Sequence, residues 1–156
     1  MRPVALPFLL GLLVGCANTP LRVPLNDFDV DFAAIQIGKI TFVKQGFNRP
    51  PVGLSRVELE GSLTYKTGVS FIFYATDSEP CNTQSNGVYL CDPGPSFEQI
   101  GSADFQPGPT QPLLLSGTKL TSGINSGQLW IGVKLNSGLV TTGTLKFRNM
   151  VAKVAL

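Results

Sequence analysis

The chain has 156 residues and carries 17 Gly and 12 Pro, which disfavour helix interiors, so a mostly helical protein is not expected. Charged residues make up 14%, against about 25% in an average soluble domain, while 43% are hydrophobic and the formal net charge is +2. That composition is too weakly basic to grip a nucleic acid backbone, too apolar to stay disordered, and contains no histidine, which excludes a Ser-His-Asp hydrolase, a Cys-His protease and a His-ligated zinc site.

Residues 1–15 read as a secretory signal peptide: one charge at Arg2, an apolar run from Val4 to Val14, then Gly15 before Cys16. The run is about a dozen residues, whereas a membrane-spanning helix takes roughly 20. Leu13-Val14-Gly15-Cys16 resembles the bacterial lipobox, with Leu three places before a Cys and a small residue next to it. The resemblance covers about the first tenth of the chain. It implies that Cys16 carries a thioether-linked diacylglyceryl group, that the signal is cut before it, and that the new amino group is open to acylation, palmitate being a typical chain. Two or three acyl chains give stable anchoring where one is marginal. Ala17, in place of an Asp, points to the outer membrane if the source has one. Residues 16–26, with Pro20 and Pro24, then form the lipidated N-terminus and a tether, and 27–156 a single domain.

Three cysteines in an exported chain leave one unpaired, and lipidation of Cys16 accounts for it. Cys81 and Cys91 flank Asn82 to Leu90 and are free to oxidise in such a compartment. A hairpin with the loop Ser85-Asn86-Gly87 places them directly opposite one another, with Gly87 in the left-handed conformation. No Cys-x-x-Cys spacing points to redox or metal chemistry.

Along the domain the hydrophobic period is two. Asn26 to Phe32 alternates charged and apolar residues and reads as a first strand, and Ile35 to Val43 as a second. Val57 to Lys66 has apolar residues or Gly at odd positions, and Val69 to Ala75 is β-branched and aromatic. A three-residue loop, Lys66-Thr67-Gly68, pairs these two as a hairpin with Tyr65 opposite Val69, and Asn136-Ser137-Gly138 has the same turn chemistry. Further strands are expected at Glu98 to Phe105, Leu113 to Leu120, Gln128 to Leu135 and Thr144 to Leu156. In the last of these the apolar positions change parity after Phe147, which predicts a bulge near Arg148-Asn149. Loops are expected at Arg49-Pro50-Pro51, Asp92-Pro93-Gly94-Pro95 and Pro107-Gly108-Pro109. About seven or eight strands at this spacing imply an all-β antiparallel sandwich, Ig-like in the broad architectural sense.

Asp27, Asp29 and Asp31 share a strand face as a calcium site could, but the glycine and distant glutamate of an EF-hand are missing, and charged exposed positions on an ordinary strand account for them. Glu58 and Glu60 also share a face, the minimum equipment of a carboxylate hydrolase, yet nothing sets their acidities apart. Ile72, Tyr74 and Trp130 point away from the expected core and form a possible binding surface, unless a loop covers them; Tyr89 and Phe47 are weaker candidates in loops. The expectation is a membrane-anchored envelope lipoprotein without enzymatic activity, metal or cofactor, binding an envelope glycan or protein. The alternative is a structural accessory subunit of an envelope assembly that pairs through an exposed strand edge.

Overall fold

The computed structural model describes residues 20–32, 36–85, 87–139 and 142–156. The signal segment, the lipobox with Cys16, and Asn86 lie outside the described residues. In chain order the strands are β1 (Leu21–Pro24), β2 (Phe28–Phe32), β3 (Ile40–Lys44), β4 (Arg56–Thr64), β5 (Ser70–Thr76), β6 (Gln84–Ser85), β7 (Val88–Cys91), β8 (Glu98–Asp104) and β9 (Thr110–Ser116). The helix α1 (Thr118–Ser126) follows, then β10 (Trp130–Ser137) and β11 (Gly143–Ala155). One sheet has the order β1-β11-β4-β9, with β2 also on β11; the other runs β6-β7-β3-β10-β5-β8. All pairings are antiparallel.

The expected antiparallel sandwich is therefore present, and its connections define the type. Taking β1 and β2 as one broken strand, the chain alternates between sheets at every step from β2 to β5 and from β8 to β11. That is the connectivity of a jelly roll. The β6–β7 pair is an insertion between β5 and β8 that joins the sheet beside β3. Among the described residues eleven strands stand where seven or eight were expected: β1 is added, and β6 and β7 are the arms of the expected hairpin between Cys81 and Cys91. Residues 21–24, read as part of the tether, are paired with Val151 to Val154 of β11.

The period-two pattern identified faces correctly and one partner wrongly. Val57 and Leu63 of β4 point inward and are buried, with Glu58 and Glu60 on the opposite face. However, β4 pairs with β9 and β11, while β5 pairs with β8 and β10, so Lys66-Thr67-Gly68 carries the chain from one sheet to the other. The apolar faces meet across the sandwich instead of side by side: the Tyr65 and Phe71 rings pack edge to face at 5.2 Å, and Phe105 lies 6.0 Å from Tyr65. Burying a Phe or Leu side chain contributes about 1.5–3 kcal/mol. Gly68 and Gly138 both have positive φ, as the turn chemistry implied, and the two inter-sheet turns touch; a Cβ on Gly138 would lie 2.3 Å from the Gly68 carbonyl oxygen.

β11 is the longest strand and carries the expected bulge. Its register with β4 shifts between Arg148 and Val151, and Asn149 has φ 54°. On its other side the bulge falls opposite the gap between β1 and β2, where the Asp27 carboxylate accepts the Asn149 N–H at 2.8 Å and Met150 O accepts the Leu25 N–H.

The stretch expected to be a strand to Leu120 ends at Ser116, and α1 follows. Its sequence TKLTSGINS is a poor helix former, and Gly117 at its N-cap offers no side-chain acceptor. Tertiary contacts supply what propensity does not. Leu120 is fully buried, and the Glu98 carboxylate from β8 accepts the Thr118 and Lys119 N–H groups at the helix N-terminus, where an anion is favoured. Asp77 accepts from Lys119 Nζ and the Ser122 hydroxyl. At the other end Gly127 takes the left-handed conformation that closes a helix.

Burial raises the Glu98 pKa, but hydrogen bonds from Lys119 and Thr118 outweigh it and hold it below its ordinary value of 4.5; the Ser122 and Lys119 bonds hold the Asp77 pKa below 3.8. A depressed carboxylate stabilises the fold above its unfolded value and loses that contribution as pH falls through the folded one. Thermal melts should be flat from neutral pH to about 4.5 and decline below it, and Glu98→Gln should shrink the decline. Glu98→Ala should cost about 1 kcal/mol in urea unfolding, as loss of a helix cap does; an unchanged midpoint would refute the capping role.

Candidate functional site

Each carboxylate considered for calcium has its own partner. Asp27 holds the bulge of β11, Asp29 pairs with Arg148, and Asp31 accepts the Thr144 hydroxyl at 2.6 Å. The Arg148 hydrogen bond outweighs burial and holds the Asp29 pKa below the ordinary carboxylate value. Among the described residues no three His, Cys, Asp or Glu side chains are grouped to hold a metal ion. Glu58 is bridged to Arg56, and Glu60 to both Arg22 and Lys153. The Lys153 hydrogen bond depresses Glu60, the opposite of what a proton donor requires.

Ile72, Tyr74 and Trp130 do lie on the face of their sheet that points away from the main core, but they are not laid open. Trp130 is 5% exposed, and Ile72 and Tyr74 are half-buried. Trp130 and Tyr74 belong to a second apolar cluster with Ile40, Phe42, Tyr89 and Cys91, against which Phe97 and Cys81 pack. The cover is the segment between β5 and β8. Phe97 lies 4.7 Å from Phe42 ring to ring, and Tyr89, placed in β7 and not in a loop, donates to Glu79. Lys44 Nζ sits 5.1 Å over the Trp130 ring. Gly132 makes the close packing possible, since a Cβ there would lie 2.5 Å from the Phe42 ring.

The Cys81–Cys91 disulfide is formed and ties this cover down, with Cα atoms 5.9 Å apart. Its hairpin differs from expectation. Ser85 pairs with Val88 and Gln84 with Tyr89, which leaves two residues in the turn, and Cys81 lies outside the ladder. Gly87 has φ +79°, as a tight turn requires.

The site that sequence reasoning missed lies between the sheets. The large rings Phe71, Phe73, Phe105 and Tyr65 fill one end of the sandwich. Towards the other, the inward positions are smaller: Val57, Ala152 and Val154 on one sheet face Thr41, Val43 and Val133 on the other. They do not meet, and a cavity of about 600 Å³ opens between them. Ile124 and Leu129 close it on the helix side, and the Thr41 hydroxyl in its wall has no hydrogen-bond partner. At the rim Val23 and Leu25, on and just after β1, and Phe47 in the β3–β4 loop are 38%, 41% and 37% exposed. No segment of the sequence signals it, because these residues read as ordinary core until the facing strands are known.

The charges near the cavity are engaged elsewhere: Asp29 with Arg148 and Lys44 with Trp130, so the wall is apolar and its rim close to neutral. Such a chamber suits an apolar ligand held by shape and desolvation. No protein-family model matches this chain, and no curated protein or solved structure is significantly similar to it.

Because Trp130 is the only tryptophan, its emission reports on the disulfide-tied cover. Reduction should loosen the segment, shift the emission to the red and cost about 3 kcal/mol of stability on the loop-entropy model. An unshifted spectrum in fully reduced protein would show that the cover holds without the bridge.

Proposed function

We propose that the protein is a lipid-anchored lipoprotein of the cell envelope whose jelly-roll domain is a non-enzymatic binding module, with the chamber between the sheets as its ligand site. The cavity is the observation that carries the binding reading: about 600 Å³ is within the range of small-ligand sites, and its wall is mostly apolar. The anchor rests on the signal-like residues 1–15 and on Leu13-Val14-Gly15-Cys16. Of the alternatives, strand-edge assembly has less support. Each sheet has one blunted edge: β9 of the first contains Pro112, which cannot donate to a ladder, and β6 of the second has two residues, which leaves β8 and the broken β1–β2 edge for pairing.

The anchor is tested by fractionation. Cys16→Ser should move the protein from the membrane to the soluble exported fraction and abolish incorporation of labelled palmitate. Retention of the variant in the membrane fraction would overturn the anchored reading.

A further inference from the structure

We infer that the cavity binds one long acyl chain drawn from the lipids of the membrane on which the protein sits, and that the chain enters between β1 and the β3–β4 loop. The location rests on the anchored reading above; the ligand class rests on the cavity.

Size and shape come first. A dry apolar cavity of about 150 Å³ is enough to bind benzene, and this one has about four times that volume, room for on the order of 20 carbon atoms. It is also long. Along β11 its wall runs from Phe147 to Val154, a distance on the order of 20 Å at the rise of a strand, while packed sheets stand about 10 Å apart. An extended hydrocarbon chain fills that space, and a compact ring system does not.

The chemistry of the wall agrees. The inner surface offers methyl and methylene groups from Leu59, Ile131, Val133, Met150 and Ala152. At the rim the nearby polar groups are the amides of Gln45 and Asn48, with Asp29 held by Arg148. The two charged lining residues are Asp29, paired with Arg148, and Lys44, whose Nζ lies over the Trp130 ring, so the chain is what the cavity recognises and the head stays in water.

Access follows from the position of β1. Val23 and Leu25 are exposed apolar residues at the rim, opposite Phe47 of the β3–β4 loop. From Cys16 to Leu21 the chain can extend no more than about 18 Å. An anchor on Cys16 therefore keeps this rim within reach of the bilayer surface, where a chain can pass from one apolar medium to another with little exposure to water.

The test uses the full chain carrying Cys16→Ser, free of detergent, and the lipidated wild type in nanodiscs. Native mass spectrometry of Cys16→Ser with palmitate should show a single adduct, and displacement of a fluorescent fatty acid should give a micromolar Kd. Lysophosphatidylcholine with the same chain should compete within a few-fold, because the head is not read. Ile131→Phe, which fills the cavity, should weaken binding at least tenfold; Val43→Phe serves if the first variant does not fold. Lipidated protein should bind the fluorescent chain comparably. Binding by Cys16→Ser alone would mean that the protein's own anchor occupies the cavity, and would overturn the membrane-lipid source. Absence of an adduct, or equal binding by a folded cavity-filled variant, would overturn the site. Membrane release of Cys16→Ser reads the anchor alone, so the two readings fail separately.

Discussion

The bulge in β11 is the constraint around which one sheet is organised. A straight strand of this length would hold a single partner on each side. With Asn149 in the left-handed region and the register shifted by Val151, β11 changes which face its side chains present; β4 follows it unbroken through a register shift, while the partner on the other side is interrupted. The break separates β1 from β2, and Asp27 fills it by taking the Asn149 N–H. An asparagine at the left-handed position lowers the cost, since its short polar side chain tolerates that conformation better than most. Phe147 on one side of the bulge and Met150 on the other both turn inward, so the same irregularity shapes the cavity wall.

Two-sided alternation made the sandwich legible. The change of parity after Phe147 located the bulge, and the odd cysteine count singled out Cys81 and Cys91 as a pair. What alternation cannot supply is partnership. Leu63 and Phe71 are both inward residues whether their strands lie side by side or face one another across the core, and only the second is realised. The β6–β7 hairpin shows the same limit at smaller scale: Ser85 pairs with Val88, a register one residue away from the symmetrical one. α1 was illegible for another reason: Glu98 and Asp77, its main polar anchors, lie 20 and more residues before it.

The binding surface shows how burial overrides a pattern. Tyr74 and Trp130 were placed on the outward face correctly, but an insertion of low regularity folds over them and converts surface into a second small core. The cavity is the converse case. Its residues read as ordinary core, and their smallness becomes significant only once the facing sheet is known. In physical terms a void is a property of two strands together, with no signature in either one.

The order in which the strands are made has a consequence for folding. β10 lies between β3 and β5, and β11 between β4 and the β1–β2 edge, so the last two strands of the chain are internal to both sheets. Until they arrive, β3 and β5 are unjoined, and so are β1 and β4. Most pairings close long stretches of chain, which slows folding of such topologies. The pairs β4–β9 and β5–β8 need neither of those strands, so the chain can hold its outer ladders early while the two sheets stay open at their centres. Closure of the jelly roll is then a single late insertion of the C-terminal pair between strands already in place.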